Sequence, residues 1–431
     1  MSFEFSLCLL VVFTLAAFGA PVALSMIIGA IAYLAASGQD IALAGEQIIQ
    51  GIYGSFILLA VPLFIVAANI MNAGTISERL LNFCVAMVGH LRGGLGHVNV
   101  VSSLIFSGMS GSAVADAAGV GKVVIEMMTK ENRYPPGYAA AITAASATIG
   151  PIIPPSIPMV IYALVSDVSI GYLFIAGLVP GLFMGVVLMA FNAYQARKLD
   201  IQKEPRIPAR DIPKVAWQAF PALMMPAILL YGIYGGVTTP TEAAAVAAGY
   251  ALLLAATVYR SISFKELVNV FKQSALSSAS VGLVISAALI FNYIVSTENI
   301  PTAVANTLVA WDLSPLQFLI AVNILFLLLG CLLDTATVVL VIVPLLIPAC
   351  RELGIDLVHF GVITLVNLMI GMITPPYGIL LFVINGTTRI PLADIIKGVL
   401  PFTGVLIFAL VVMTVFPDLV LFVPRLFGYA G

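Results

Sequence analysis

Charge is what this sequence has least of. Its 431 residues include 18 basic and 20 acidic side chains, 38 in all, where the usual quarter share would give about 108. A water-soluble protein of this length needs far more polar surface than that. The 61% hydrophobic content excludes a disordered chain, and the net charge of −2 offers a nucleic acid no basic face. Histidine is nearly missing too. His90, His97 and His359 are scattered, without the ligand spacing that zinc or a proton relay needs. The four cysteines, Cys8, Cys84, Cys331 and Cys350, form no CxxC pair and sit in apolar surroundings. They read as small buried hydrophobes rather than a disulfide or a metal site.

What is present is apolar sequence in long runs, the mark of bilayer-spanning helices. The fold class expected is an all-α polytopic membrane protein with roughly a dozen membrane segments. Glu4 stands where a cleaved secretory signal would carry Lys or Arg, so the first run is read as an uncleaved membrane segment. Residues 5–37 are long for one crossing and short for two, which leaves the crossing count there open.

Cations mark cytoplasmic loops. They cluster at Arg79 and Arg92, at Lys122, Lys130 and Arg133, and from Arg197 to Lys214. Residues 197–219, polar and proline-rich at their centre, are read as a cytoplasmic linker between two halves. Residues 93–129 carry cations on both flanks around SGMSGSAVADAAGVG. A re-entrant hairpin that enters from the cytoplasm and returns satisfies the charge rule; a single crossing does not. A helix over 137–166 follows, broken at GPIIPPSIP. The second half repeats this order, with scaffold helices over 220–312, a hairpin over 314–350 entering from outside, and a helix over 357–385 broken at GMITPPYG. The transport repeats are thus 93–196 and 313–431, with scaffold helices and an arm in 1–92. The Arg79–Arg92 stretch and the helix around Trp217 are candidate membrane-surface arms.

Residues 150–180 align with 371–401 without a gap, at a shift of 221. Gly150 meets Gly371, Pro154-Pro155 meets Pro375-Pro376, Gly177 meets Gly398 and Pro180 meets Pro401. Two proline breaks in register, each behind a hairpin and approached from opposite faces, read as an inverted repeat. That is the architecture of a secondary transporter with its binding site near the midplane. Smaller features have plainer readings. Thr239, Pro240 and Glu242 form a capping box, Lys122, Glu126 and Lys130 an ion-pair ladder, and Gly177, Gly181 and Gly185 a helix-packing stripe.

A transporter must replace the water around an ion with protein oxygens and N–H groups. Broken helices supply both, through unwound carbonyls for a cation and half-helix N-termini for an anion. Each proline removes a donor and so enforces the break. Hard cations such as Na+ take oxygen ligands. Two equivalent cation sites are expected. The first draws on Ser110, Ser112 and the carbonyls around Gly150, Ile153 and Pro154. The second draws on Gly330, Asp334, Gly371, Thr374 and the carbonyl near Tyr377. Substrate contacts are expected from Ser107, Asp116, Ser156, Thr335 and Thr337. Asp116 and Asp334 are intramembrane carboxylates, costly unless paired or functional. Each either ligates an ion or pins its hairpin tip, and the sequence leaves both readings open. No arginine lies in either tip or break, so a carboxylate would be held by helix N-termini, hydroxyls and the bound cations. Cation and anion would then bind cooperatively, which is the basis of cotransport.

At these residues the chain resembles the large membrane subunit of a TRAP (tripartite ATP-independent periplasmic) transporter. The likeness runs through SGSAVADAAGVG (110–121), the block from Tyr134 to Gly181, TTPTEAAAVAA (238–248) and GMITPPYGILLFV (371–383). The resemblance implies an elevator-type fold in the inner membrane of a bacterium, importing an organic acid with Na+. Family substrates include sialic acid and C4-dicarboxylates. It also implies a small four-helix membrane subunit and a periplasmic substrate-binding protein as partners, beside the lipid bilayer. A stand-alone Na+/carboxylate symporter is the alternative. An enzyme is not expected, since neither HExxH nor GxSxG occurs.

Overall fold

The computed structural model describes residues 2–73, 76–201, 203, 206, 208, 210–304 and 313–431. Parts of 197–219 and 220–312 lie outside the described residues. The chain opens with α1 (Phe3–Ala17) and α2 (Val22–Ala36), packed on one another. Gly29 permits their approach, since a Cβ there would fall 2.5 Å from Val12 Cγ2 and 3.0 Å from the Cys8 carbonyl. Residues 5–37 therefore form two helices. Each has 15 residues and is about 22 Å long, shorter than the ~30 Å hydrocarbon layer.

Next come α3 (Ala42–Gly54) and α4 (Ala60–Asn72), joined through a 3-10 turn and bent by 75°. α5 (Ile76–Val88) is amphipathic and buries Ile76, Leu80, Leu81 and Cys84. The Arg79 guanidinium lies 4.7 Å from the centre of the Tyr259 ring, so part of the expected surface arm is packed against the protein.

The expected hairpin consists of α6 (Gly94–Ser110), α7 (Ala113–Asp116), a π turn (Ala117–Gly121) and α8 (Lys122–Thr129). Gly111 makes the reversal at φ 58°, a conformation that glycine adopts without strain. The arms run back alongside each other. Asn99 Nδ2 lies 3.9 Å from Met128 Sδ, and the Leu95 N–H donates to Tyr134 Oη at 3.1 Å. The chain thus leaves at the level where it entered. On α8, Lys122 meets Glu126 at 3.9 Å; the helix stops at Thr129, which takes Lys130 out of the helical register.

The first broken helix is α9 (Pro136–Ala147) and α10 (Ile157–Ser166), followed by α11 (Ile170–Lys198). α12 (Ile212–Tyr234) begins inside the expected linker and carries Trp217, exposed and stacked on Phe220. α13 (Pro240–Leu253) starts at the expected capping box of Thr239 and Glu242. α14 (Phe264–Thr297) starts where Ser263 and Glu266 form a second capping box. The later elements are α15 (Pro315–Gly330), α16 (Thr335–Val341), α17 (Val343–Glu352), α18 (Leu357–Gly371), α19 (Ile379–Thr388), α20 (Leu392–Val415) and α21 (Asp418–Leu426). The second hairpin bends again by 51° between α16 and α17. Among the described residues, five helices are long and apolar enough to cross a membrane, or up to seven counting each bent pair as one span.

The two half-helices that lead into the breaks sit at the centre. Every residue from Tyr138 to Ala147 and from Val358 to Gly371 is buried, as expected of helices with no polar face. Small residues let neighbours approach. Gly398 of α20 lies on α9, where its Cβ would be 2.7 Å from the Gly137 carbonyl and 3.0 Å from Ala141 Cβ. The glycine stripe of α11 does the same on the first break. Gly177 abuts the Ile152 carbonyl, Gly181 the Ile153 side chain and Gly185 Leu104, which bears out the packing reading.

The 221-residue shift also extends to contacts. Tyr138 Oη donates to Asn192 Oδ1 at 2.7 Å, and 221 residues further on His359 Nε2 lies 2.9 Å from the Met413 carbonyl.

Candidate functional site: two junctions of tip and break

Each hairpin tip is docked on its own broken helix. At the first junction, a Cβ on Gly111 would lie 2.4 Å from the Pro155 carbonyl. Only glycine allows that approach. Asp116 Oδ1 accepts from Ser110 Oγ across the tip, so the carboxylate does pin the turn. Its second oxygen, Oδ2, is buried without a hydrogen-bond partner. A Cβ added to Gly150 would lie 2.6 Å from that oxygen and 3.6 Å from the Ala113 nitrogen. The tip thus turns an unpartnered carboxylate oxygen toward the unwound segment of α9–α10. A buried carboxylate oxygen without a partner is costly; a bound cation or a proton on the carboxyl would remove the cost.

The other residues expected at this junction lie close by. Ser112 caps α7, accepting from the Ala115 N–H at 3.3 Å. Ile153 and Pro154 are in the break, whose residues 150–156 are all buried. The Pro154-Pro155 bond is cis. Ser107 lies one turn before Ser110, with its hydroxyl donating to the Ser103 carbonyl. Ser156 closes the break by donating to the Pro151 carbonyl, and it caps α10 by accepting from the Met159 N–H at 3.2 Å.

At the second junction, Gly330 and Gly371 touch backbone to backbone. A Cβ on Gly371 would lie 2.6 Å from the Gly330 carbonyl carbon and 2.7 Å from its Cα. The Gly378 N–H donates to the Cys331 carbonyl at 3.3 Å, which ties the far end of the break to the same tip. Thr374 lies between, its hydroxyl donating to the Ile370 carbonyl at 2.8 Å. Tyr377 precedes Gly378 and is exposed, and Pro375-Pro376 is cis.

Asp334, Thr335 and Thr337 are placed differently. Asp334 is exposed and caps α16, accepting from the Ala336 N–H at 3.0 Å. Thr335 Oγ1 lies 3.7 Å from Met372 Sδ, next to the break. Thr337 faces an apolar cleft of about 670 Å³ lined also by Met26, Phe291, Leu329 and Leu333. The structure thus brings Ser110, Asp116 and Gly150 together, and likewise Gly330, Gly371 and Thr374; Thr337 belongs to neither group.

The two junctions also lean on one another. α10 packs on α16, and α19 packs on α7, the π turn and α8. The half-helix after each break therefore braces the other repeat's hairpin. Two polar clusters were missed from the sequence. Asn99 contacts Thr143 and Ser146, and Asn323 contacts Asn367 and Thr414. The 221 shift could have found part of this, since it pairs Thr143 with Thr364 and Ser146 with Asn367.

The family model described as "Tripartite ATP-independent periplasmic transporter, DctM component" matches residues 9–419. The sialic acid TRAP transporter large permease protein SiaM of Vibrio cholerae is 41% identical over 95% of this chain and 96% of its own. The C4-dicarboxylate large permease protein DctM of Pseudomonas aeruginosa is 39% identical over 86% and 87%. The sialic acid permease protein SiaT of Haemophilus influenzae is 38% identical over 95% of this chain but 66% of its own length. Among solved structures, the YdaH transporter of Alcanivorax borkumensis superposes with a TM-score of 0.61 at 15% identity, covering 86% of this chain and 87% of that one.

Proposed function

The chain belongs to the DctM-component family of TRAP transporter large permeases, and from that premise we propose that it is the Na+-coupled, substrate-carrying subunit of an organic-acid importer in a bacterial inner membrane. The observation that carries the reading is Asp116, whose unpartnered Oδ2 meets the unwound backbone at Gly150. One Na+ would sit there, among Ser110, Ser112, Asp116 and the carbonyls of the first break. A second would sit at Gly330, Gly371 and Thr374. Oxygen-only surroundings suit a hard monovalent cation. The substrate carboxylate would lie between the junctions, held by α10 and α19 N-termini and the two cations. With no arginine in either tip or break, cation occupancy supplies the positive charge, so substrate affinity depends on Na+.

Hairpins, breaks and the central half-helices would move as one body against the scaffold, in an elevator cycle. Support comes from the bracing of each hairpin by the other repeat and from contacts repeated at a shift of 221, as an inverted repeat would produce. Asp334 is read here as a tip-pinning cap. A sialic acid or a C4-dicarboxylate is the proposed cargo, after the substrates named for the relatives. A periplasmic binding protein would deliver it, and a small membrane subunit would complete the transporter.

The test is uptake of labelled sialic acid, with a C4-dicarboxylate in parallel, into proteoliposomes holding this chain and its small subunit. Uptake that requires both an inward Na+ gradient and the binding protein supports the reading. Uptake without the binding protein replaces it with a self-sufficient symporter.

A further inference from the structure

Both junctions have a polar cluster one turn away from the glycine of the break, fully buried in the first and partly buried in the second. In the first repeat, Asn99 of α6 donates through Nδ2 to Thr143 Oγ1 at 2.5 Å and accepts from Ser146 Oγ at 2.9 Å. Ser103, one turn further along α6, donates to Ser146 Oγ at 3.0 Å. All four side chains are buried. In the second repeat, Asn367 Nδ2 reaches the backbone carbonyl of Asn323 at 2.7 Å and its Oδ1 at 2.9 Å. Asn323 Nδ2 in turn donates to Thr414 Oγ1 at 2.9 Å. Ser146 stands four residues before Gly150 and Asn367 four before Gly371, or about 6 Å along the helix.

Each cluster joins the entering arm of a hairpin to the half-helix that leads into its break, and the second also reaches Thr414 on α20. Each hairpin tip meets its break at Gly150 or Gly371 with almost no free space. A small slide of α9 along α6, or of α18 along α15, would therefore pull carbonyls away from tip oxygens. Apolar packing alone resists such a slide weakly, because lipid tails are as apolar as Leu and Val. Directional hydrogen bonds between helices fix the register.

We propose that Asn99–Thr143–Ser146 and Asn323–Asn367–Thr414 are positioning residues that lock each hairpin arm to its broken helix and thereby set Na+ affinity at the adjacent junction. This rests on the cation reading given above. The clusters themselves hold no ion or substrate; they act through the spacing of Ser110 to Gly150 and of Gly330 to Gly371.

The test uses the reconstituted complete transporter with Thr143→Val, which keeps shape and loses the hydroxyl, and Asn367→Leu, with Thr143→Ser and Asn367→Ser as conservative partners. Ser25→Ala is the control, removing a buried hydroxyl that bonds within its own helix in the scaffold. Two readouts are taken: the Na+ concentration for half-maximal uptake, and the rise in melting temperature that Na+ gives the purified complex. The expected result is a rise of about threefold or more in half-maximal Na+, the size of one interhelical hydrogen bond in a membrane. Maximal uptake per folded complex should change less. The Na+-induced melting shift should shrink in Thr143→Val and Asn367→Leu and return in the serine variants. Half-maximal Na+ unchanged in Thr143→Val and Asn367→Leu, with lower melting temperatures alone, overturns the proposal in favour of plain structural polar packing. An equal Na+ effect in Ser25→Ala overturns it as well. Wild-type uptake that ignores Na+ overturns both this proposal and the cation reading, whereas the first two outcomes leave that reading standing.

Discussion

The two junctions share a backbone plan and differ in cover. In the first, every residue from Gly150 to Ser156 is buried, as are Ser110 and Gly111 of the tip. In the second, Pro376 and Tyr377 of the break are exposed, with Leu332 and Asp334 of the tip. The chemistry differs in the same sense. The first is closed by side chains, with Ser110 on Asp116 and Ser156 bonded both to the Pro151 carbonyl and to the Met159 N–H. The second is closed by backbone, with Gly330 against Gly371 and Gly378 on Cys331. A hydroxyl can satisfy a break's free groups at a distance, so the first junction tolerates deep burial. A break held mainly by backbone contact leaves its outer corner open. The first junction is thus closed on all sides, and the second is open at its outer corner.

The steepest test of this contrast is the glycine pair. A Cβ at Gly371 would collide with backbone atoms of Gly330, which cannot turn aside, whereas at Gly150 it would meet a carboxylate oxygen of Asp116. Overpacking of this kind costs about 1–3 kcal/mol, so Gly371→Ala should lower Na+-driven uptake per folded complex by about 5- to 150-fold. Gly150→Ala should cost less, and Gly150→Ala with Asp116→Asn should not be additive. Equal, additive losses would break the distinction between a backbone-closed and a side-chain-closed junction.

Asp116→Asn comes next. It removes the charge but keeps an acceptor for Ser110, so half-maximal Na+ should rise about tenfold, the scale of a charged interaction. Ser110→Ala should raise it less, since the carboxylate stays in place. Asp334→Asn should change it least, because a neutral amide oxygen still caps α16. A larger effect at Asp334 than at Asp116 would reverse the reading of the two carboxylates. Smallest in energy but sharpest in contrast is labelling by a water-soluble maleimide: Tyr377→Cys should react readily and Ser156→Cys should not. Comparable rates would remove the difference in access.

Much of this was legible in the sequence for a simple reason: prolines and glycines dictate backbone locally. GPIIPPSIP and GMITPPYG break helices wherever they fall, and cations on both flanks of 93–129 demanded a hairpin. Thr239 with Glu242 specified a helix start with no tertiary information at all. What could not be read depends on contacts between distant segments. Nothing in the run from Leu95 to Met109 says that Asn99 will face Thr143, and Thr337 looked equivalent to Thr335 until the turn of α16 sent it to an apolar cleft. Ser263 and Glu266 carry the same capping box as Thr239 and Glu242, so the start of α14 is as local a signal as that of α13.

One cation at each of two junctions fixes the Na+-to-substrate ratio. It can be read in proteoliposomes from the membrane potential at which net substrate flux stops for a set of fixed Na+ and substrate gradients. The expected ratio in the wild type is two Na+ per substrate, each junction contributing one. A ratio of one, or a stopping potential that does not move with the Na+ gradient, would contradict it.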